Sequence, residues 1–504
     1  MARQSLGSLK DKLISRLFEF SGTTFIRKKL YNWFGILFIS GIACLFAFLL
    51  AKNLLLGLGL FGGLLGFGLV ILCFINVETG FFLLLFVGFF GYFFTSTVLK
   101  GVPIGVIYDG LVVINFIGLI VSRKDFKSSW KTFSKIPLVM LMWVIFFYFL
   151  LEMFNPNTSG VSSSVLQFLR KYLEYIFILF LAYILFNSYQ KIRRYTFTLL
   201  IMSTLCAIYG CIQEWHGLFP WEMANIMADP MSFGLLWTGS GFRKFSTMSD
   251  PSVFGIVMAA CSIFFIVLAL YERDLRIKLL FIVCSILMIL AVGYSGTRTA
   301  YAVDIAGFAF FIILNIDKAG VRKFGAFMVM VFLALQFGPF SDFAVIRRFR
   351  TTFIGTKDQS YKVRLVNRAF IQPLIQSHPM GEGMGTTGFQ GAIEHPGNPL
   401  ANFQPDGAYV TRAAETGWIG LGVVILLYFI TLRVGVRGFF KEKDPRLIPY
   451  FSACVSTLFA LYVGEYTQIA VGSISDAAIY FAFIAMMLNF RYNEQFVKTM
   501  PTPA

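Results

Sequence analysis

Seven lysines and arginines lie close together in one polar stretch of this 504-residue chain, residues 339–408. They are Arg347, Arg348, Arg350, Lys357, Lys362, Arg364 and Arg368. A guanidinium group stays charged at physiological pH and binds phosphate oxygens in a bidentate manner. An arginine cluster therefore suits a diphosphate, and it stabilises the charge that develops on a diphosphate leaving group. Arg347, Arg348 and Arg350 are also consistent with simple binding of anionic lipid.

The segment 358–377 is predicted to form a helix that carries two of these arginines. Its apolar residues recur at helical spacing and are Leu365, Val366, Ala369 and Phe370. Arg364 and Arg368 stand one turn apart on another face of the same helix. We expect the helix to lie along the membrane interface and to present both guanidinium groups together. Pro373 is expected to kink or end it.

Four further basic residues lie beside the ends of apolar segments on the same side of the membrane. They are Arg243, Lys244, Arg298 and Arg412. Arg243 and Arg298 are candidates for the same diphosphate. The alternatives are that Arg298 extends to the lipid headgroups and that Arg243 is an ordinary loop charge.

The residues that follow the predicted helix supply candidates for a general base, which an attacking hydroxyl group needs. The glycine-rich segment 377–388 is typical of a tight turn, although such turns can also present N–H groups to an anion. The candidate bases are Asp406, His378, His395 and Glu415. Asp406 is also well placed to be a helix N-cap, and the histidines are consistent with ordinary loop residues. Because no HExxH, CxxC or Asp-rich motif occurs, we expect a transfer that needs neither a metal nor another cofactor.

Composition predicts that these residues belong to an all-α polytopic membrane protein. Hydrophobic residues make up 57% of the chain and charged residues only 14%. About fourteen apolar runs have the length of membrane-spanning helices. They are 34–51, 54–76, 79–95, 104–121, 136–154, 172–187, 195–213, 251–271, 279–295, 299–316, 324–338, 409–432, 447–466 and 472–490. Asp109, Asp304 and Asp476 lie within such runs, where they either line a polar cavity or pair with outer arginines.

The net charge of +17 is explained by membrane topology, so no nucleic-acid partner is expected. With a cytoplasmic N-terminus, 28 of the 43 Lys and Arg residues fall on the inner side, as the positive-inside rule requires. The predicted organisation has five parts. They are a cytoplasmic arm at 1–33, helices 1–11 at 34–338 with an outer loop at 214–250, a large outer loop at 339–408, helices 12–14 at 409–490, and a cytoplasmic tail at 491–504.

Four segments resemble the O-antigen ligase and O-antigen polymerase superfamily of bacterial GT-C-type membrane glycosyltransferases. They are RKFSTMSDPSVFGIVMA with Arg243, YSGTRTA with Arg298, SHPMGEGMG in the long loop and PDGAYVTRAAETGWIGL at its end. The last is the most specific, because Asp406, Gly407, Gly417 and Gly420 have the spacing of the family signature. The family usually has histidine where Asp406 stands, and an amide or hydroxyl residue where Gly407 stands. The resemblance covers roughly residues 200–435.

The resemblance implies a reaction and a location. A glycan carried on undecaprenyl pyrophosphate, with its lipid between the helices, is transferred with inversion to a hydroxyl group of an acceptor sugar. In a ligase that acceptor is the lipid A-core. The protein would lie in the bacterial inner membrane, in contact with membrane lipids, with both termini cytoplasmic and its active site periplasmic under the large loop and its short interfacial helices.

The resemblance also implies roles for individual residues. The arginines that would hold the pyrophosphate are Arg243, Arg298, Arg364 and Arg368, followed by Arg348 and Arg412. Asp406 would be the base, with His378 in reserve.

Several alternative functions stay open at this point. Within the class, the chain could be an O-antigen or exopolysaccharide polymerase, whose acceptor is another lipid-linked repeat, or a protein O-glycosyltransferase. From a different class, it could be a flippase or transporter of lipid-linked glycans. No internal repeat supports transport, and a purely structural membrane protein would leave the costly arginine cluster unexplained.

Overall fold

The chain is all-α in the computed structural model. The model describes residues 54–99, 101–123, 125–158, 163–238, 241–339, 342–352, 359–493 and 496, with scattered positions between 37 and 52. These ranges contain nineteen α-helices and no β-strand. The helices are α1 (Leu54–Ile75), α2 (Val77–Thr97), α3 (Ile104–Ser122), α4 (Phe126–Ser134), α5 (Pro137–Leu151), α6 (Ser163–Leu185), α7 (Tyr189–Trp215), α8 (Pro220–Ala228), α9 (Pro230–Leu236), α10 (Pro251–Tyr271), α11 (Leu275–Ser295), α12 (Arg298–Leu314), α13 (Ala319–Phe337), α14 (Ala344–Thr351), α15 (Gln359–Ser377), α16 (Gly388–Glu394), α17 (Ala408–Lys441), α18 (Ile448–Gly464) and α19 (Ile474–Tyr492).

Nine helices in the described part of the chain are long and apolar enough to cross a membrane. They are α2, α3, α5 with the short 3-10 turn that follows it, α7, α10, α11, α13, α17 and α19. The polytopic all-α prediction is therefore confirmed. The count of fourteen spans stays a prediction, because α12 and α18 have only 17 residues each and the segment 34–51 lies largely outside the described residues.

Helix surfaces divide into a packed interior and an apolar exterior. Most side chains of α10 and α19 are buried, and the rings of Phe264 and Phe483 stack between them with centroids 4.5 Å apart. On α11, by contrast, Leu279, Val283 and Ile286 are half exposed. Contiguous exposed apolar surface of this kind is unusual in a water-soluble protein and suits contact with lipid tails.

The polar stretch 214–250 contains α8 and α9 and then a turn that leads into α10. Asp250 caps α10 by accepting hydrogen bonds from the N–H groups of Ser252 and Val253, at 2.8 and 3.0 Å. Pro251 occupies the first position of the helix, where a missing N–H group is tolerated. The start of α10, and with it the segment that carries Arg243, is therefore held in a defined position.

The polar stretch 339–408 contains α14, α15 and α16. The helix predicted at 358–377 is confirmed. Of the two outcomes expected at Pro373, a kink or the end of the helix, the second is wrong, because α15 continues to Ser377. On its packed face, Ile371 lies against Leu400 and Ala414. The side chains predicted for the apolar face, Leu365, Val366 and Phe370 among them, are exposed, as in a helix that lies on a lipid surface.

The glycine-rich turn after α15 packs into a kink of α17. The kink is at Gly417, whose φ of 66° is left-handed, and a side chain there would overlap the carbonyl group of Pro379. In the turn, Gly383 donates its N–H to the carbonyl oxygen of Glu415 at 2.9 Å. Thr387 donates through both its N–H and its hydroxyl group to the Glu415 carboxylate. The tight-turn interpretation therefore holds, and the anion that this turn binds is a side chain of the same chain.

Candidate active site

Arg243 contacts the turn between α11 and α12. All residues of the candidate site lie in one compact unit, residues 81–112 with 129–504. Arg243 donates a hydrogen bond from Nη2 to the hydroxyl group of Thr297 at 2.8 Å and from Nε to the carbonyl oxygen of Ser295 at 3.2 Å. The backbone at this turn is tight, since Gly296 adopts a left-handed φ of 58° at the end of α11. Arg243 is therefore fixed at the start of α12.

Arg348, on α14, approaches the same turn from the other side. Its Nε would lie 3.2 Å from a Cβ atom at Gly296, so the glycine leaves room for the guanidinium group. Burial lowers the pKa of Arg243 to about 10, and the positive charge of Arg348 adds to that shift. Burial likewise lowers the pKa of Arg348. Two partly desolvated like charges at one turn favour the approach of an anion.

These two arginines face a cleft that continues into a larger apolar one. The arginine cleft has a volume of about 340 Å³ and is also lined by Arg347 and by Lys244, which pairs with Glu214 at 3.3 Å. The apolar cleft, of about 880 Å³, lies between α11, α12, α13 and α14. Glu214, Gly293, Tyr294 and Val345 line both clefts. A polar head and an apolar tail of one ligand could therefore be bound side by side.

Arg298 is the first residue of α12 and so belongs to the same region. Its neighbour Thr299 shares a hydrogen bond between hydroxyl groups with Thr467, at 2.7 Å. Thr467 lies in the turn between α18 and α19. The start of α12 thus contacts Arg243 through Thr297 and the α18–α19 turn through Thr299.

Arg368 and Gly407, the neighbour of Asp406, both contact that α18–α19 turn. The guanidinium group of Arg368 lies over the ring of Tyr466, 4.8 Å from its centroid. Asn367 donates a hydrogen bond to the Asp406 carboxylate at 3.5 Å. Gly407 packs so closely on the carbonyl group of Tyr466 that a Cβ atom would lie 2.6 Å from its oxygen. The hydrogen bond between Thr299 and Thr467 therefore connects the start of α12, where Arg243 and Arg348 lie, with the α18–α19 turn, which Arg368 and Gly407 contact.

Asp406 does not serve as the N-cap of α17. The cap position is occupied by Gly407, and no side chain caps the helix there. The helix begins one residue later than the capping alternative requires, so the half-buried Asp406 carboxylate is directed to Asn367 instead. A carboxylate that is not needed for capping remains a candidate base.

Arg412 lines neither the arginine cleft nor the apolar cleft. It lines a small cavity of about 40 Å³ together with Tyr172, Tyr175 and Tyr428. The buried Glu465 nearby carries the opposite charge, while the buried Nε of Arg412 has no hydrogen-bond partner among the described residues. Arg412 is thus surrounded by aromatic rings and has a counter-charge within the chain.

The other sequence-predicted residues have different surroundings. Arg364 lies on α15, but its side chain is outside the described residues. His378 is held at the end of α15, where its Nδ1 lies 3.1 Å from the Glu382 carboxylate and 3.0 Å from the Ser377 hydroxyl group. Arg350 donates from Nε to the carbonyl oxygen of Leu335 at 2.8 Å and so caps the end of α13.

The carboxylates inside the apolar runs form local contacts. Asp109 pairs with Arg170 of α6. Asp304 lines the apolar cleft and accepts a hydrogen bond from Ser262 at 2.7 Å. Asp476 accepts one from Ser473 at 2.6 Å in the first turn of its own helix.

Glu465 is a residue whose importance the sequence did not reveal. Its carboxylate accepts hydrogen bonds from the N–H groups of Ala470 and Val471, at 2.7 and 2.8 Å, and from the hydroxyl group of Tyr428 at 3.1 Å. It therefore shapes the turn that presents Tyr466 to Arg368. The available signal was an acidic residue at the end of an apolar run.

Comparison with known families identifies the central part of the chain. Residues 283–425 match the family model described as O-Antigen ligase. The matched range extends from α11 to the first half of α17 and includes Arg298, Arg348, Arg368 and Asp406. A comparison with curated proteins finds no match to this chain.

Proposed function

Because residues 283–425 match the O-antigen ligase family, we propose that the chain transfers a glycan from undecaprenyl pyrophosphate to a sugar hydroxyl group. Members of this family are membrane glycosyltransferase-like O-antigen ligases or polymerases, and the apolar helices agree with a bacterial membrane protein. We propose the lipid A-core as the acceptor and the periplasmic face of the inner membrane as the location. The large loop 339–408 would lie over the active site.

The observation that carries this proposal is the arginine group at the start of α12, next to the apolar cleft. Arg243 and Arg348 lie at the turn before α12, Arg298 is the first residue of that helix, and burial leaves Arg243 and Arg348 partly dehydrated. The neighbouring cleft has room for part of a long hydrocarbon chain. Val329 and Leu290, which line it, are 59% and 40% exposed, so it opens towards the surrounding lipid. An anionic head on a polyprenyl tail fits both surfaces.

The proposed reaction is a single displacement. The oxygen atom of the acceptor hydroxyl group attacks the anomeric carbon while the bond from that carbon to the pyrophosphate oxygen breaks, which inverts the configuration. The electron pair leaves with undecaprenyl pyrophosphate, and the arginines stabilise its charge. Asp406 takes the proton of the hydroxyl group. Its position beside Asn367, which precedes Arg368 in the sequence, supports this role, whereas the contacts of His378 with Ser377 and Glu382 favour a structural one.

Transfer by the purified protein in lipid nanodiscs tests the proposal. The substrates are undecaprenyl pyrophosphate carrying one repeat unit and, in separate reactions, lipid A-core or a second lipid-linked repeat. Formation of glycosylated lipid A-core is expected, and excess EDTA should leave the rate unchanged because no metal takes part. Elongation of the lipid-linked repeat alone would instead identify a polymerase, and absence of both products would contradict the proposal.

Arg322→Ala serves as the control variant for the arginine substitutions. Arg322 donates hydrogen bonds to the carbonyl oxygens of Ile316 and Asp317 at the start of α13 and lines neither cleft. Its replacement should leave transfer at the wild-type rate.

A further inference from the structure

A third cleft, of about 290 Å³, adjoins the arginine cleft. One segment of chain, residues 236–249, contributes to both. Its residues 238 and 241–244 line the arginine cleft, while Leu236 and residues 245–249 line the third cleft. The remaining walls come from the end of α2 and from α8 and α9. The two clefts are therefore connected by one segment of chain.

The third cleft has a different chemistry from its neighbour. Lys and Arg are absent from the described residues that line it, whereas four of them line the arginine cleft. Hydroxyl and amide groups take their place, from Thr95, Ser96, Ser232, Ser249 and Asn225. The one carboxylate, Glu222, already accepts hydrogen bonds from Tyr209, Gln213 and the N–H of Phe219. These walls suit an uncharged ligand rich in hydroxyl groups.

The polar groups retain free hydrogen-bonding capacity. The hydroxyl group of Ser96 donates to the carbonyl oxygen of Phe93 at 2.9 Å, which leaves its own lone pairs available as acceptors. Asn225 uses one N–H to donate to the carbonyl oxygen of Ser96 at 3.2 Å. Its side-chain oxygen and second N–H are then available to a ligand. This combination of donors and acceptors matches vicinal sugar hydroxyl groups.

Trp221 gives the cleft a rigid apolar surface. Its ring is stacked on that of Phe219 with centroids 4.5 Å apart and planes 7° apart, yet 40% of the residue is exposed. A ring fixed on one face offers the rest of its surface to the C–H groups of a sugar without further loss of side-chain freedom.

The floor of the cleft is held in an unusual conformation. Ser246 adopts a left-handed φ of 55°, which is uncommon for a residue with a side chain. Its N–H donates to the side chain of Gln213 at 2.8 Å and its hydroxyl group to the carbonyl oxygen of Cys206 at 2.6 Å. Thr247 donates to the carbonyl oxygen of Phe89 at 2.7 Å. Strain that is maintained by several contacts is typical of a preorganised site.

We propose that this third cleft is a carbohydrate subsite that binds one sugar ring of a glycan substrate, with Trp221 stacking on the ring and Asn225 and Ser96 bonding its hydroxyl groups. The inference rests on the proposed function for its context and adds where the sugar is bound. The ring could belong to the donor glycan or to the acceptor, and the two sources are distinguished by experiment.

Equilibrium binding tests the subsite without requiring catalysis. The full-length protein in nanodiscs is titrated with two lipid-free probes, the core oligosaccharide and the repeat-unit oligosaccharide. One of them should bind about five- to tenfold more weakly to both Trp221→Ala and Asn225→Ala, as expected for loss of one stacking or hydrogen-bonding contact. Trp221→Phe should bind with intermediate affinity. Met227→Ala, on the same helix but 57% exposed and outside the cleft, should bind like the wild type.

The probe that loses affinity identifies the source of the sugar. Unchanged affinity for both probes in Trp221→Ala and Asn225→Ala, or no binding of either probe by the wild type, would overturn the inference. If both variants transferred glycan with wild-type KM values, the subsite would fail while the proposed function stood. Binding of a probe by a protein that transfers no glycan would contradict the proposed function alone.

Discussion

Arg243 and Arg412 are both partly withdrawn from water, but the charges around them differ. Arg243 lies beside Arg348 in a cleft lined by two further cations. Arg412 lies among tyrosine rings, with the buried carboxylate of Glu465 as its counter-charge. Burying a guanidinium group is tolerated when the chain supplies an anion, as it does for Arg412. Among the residues that the structure describes, the arginine cleft holds four cations against one carboxylate, Glu214, and Asp250 acts on Arg243 from nearby, so the net positive charge of the cleft favours an anionic ligand.

Asp406 accepts a hydrogen bond from Asn367, which precedes Arg368 in the sequence, and it is the candidate base of the reaction. Asp406→Asn should lower kcat about a thousandfold, because it removes a general base. The affinity for the lipid-linked donor should stay within about threefold of the wild type, because the arginines at the start of α12 remain. Single-turnover transfer and donor binding, measured on the same preparation, check both expectations. Full activity of this variant would exclude Asp406 as the base.

Gly296→Ala tests the close approach of Arg348 to the α11–α12 turn. The new Cβ atom would meet Nε of Arg348 at 3.2 Å, and the left-handed φ of 58° strains any side chain. Donor affinity should fall about tenfold, since one guanidinium group is displaced while Arg243 is retained. The control is Gly422→Ala in α17, where a Cβ atom meets nothing within 4 Å. Equal donor affinities of the two variants would argue against Arg348 as a ligand.

Arg412→Leu tests whether Arg412 has a structural role, and it should have the smallest effect on transfer. The sequence assigned Arg412 to the pyrophosphate as well, but its surroundings favour a structural role. Loss of the buried positive charge leaves Glu465 without its opposite charge, so the melting temperature should fall by about 5 °C or more. Below that temperature the transfer rate should stay within about threefold of the wild type. A large loss of donor affinity in a thermally stable variant would return Arg412 to the binding site.

Much of the helical framework could be predicted from the sequence because lipid imposes a strong and local pattern. Every apolar run predicted from residue 54 onwards coincides with a helix, and the helix around Arg364 and Arg368 was found from its periodicity. The predicted spans did not reveal that α17 bends at Gly417, since a glycine within an apolar run has no single structural meaning.

The assembly of the site could be predicted only in part. The sequence indicates from chemistry alone that Arg243, Arg298 and Arg368 each suit a diphosphate. Their connections depend on contacts between residues far apart in sequence, such as Thr299 with Thr467 and Arg368 with Tyr466. Such contacts follow from helix packing and leave no local pattern. The same limit applies to Glu465, whose role is defined by the turn that it holds together.

Donor affinity of the arginine variants shows directly whether Arg243 and Arg348, rather than Arg412, bind the pyrophosphate. Binding of undecaprenyl pyrophosphate to the nanodisc-embedded protein is measured for the wild type, Arg243→Ala, Arg348→Ala, Arg412→Leu and the control Arg322→Ala. We expect Kd to rise about a hundredfold in Arg243→Ala and at least tenfold in Arg348→Ala, with little change in Arg412→Leu and Arg322→Ala. Loss of affinity in Arg412→Leu with wild-type binding by Arg243→Ala and Arg348→Ala would contradict this expectation.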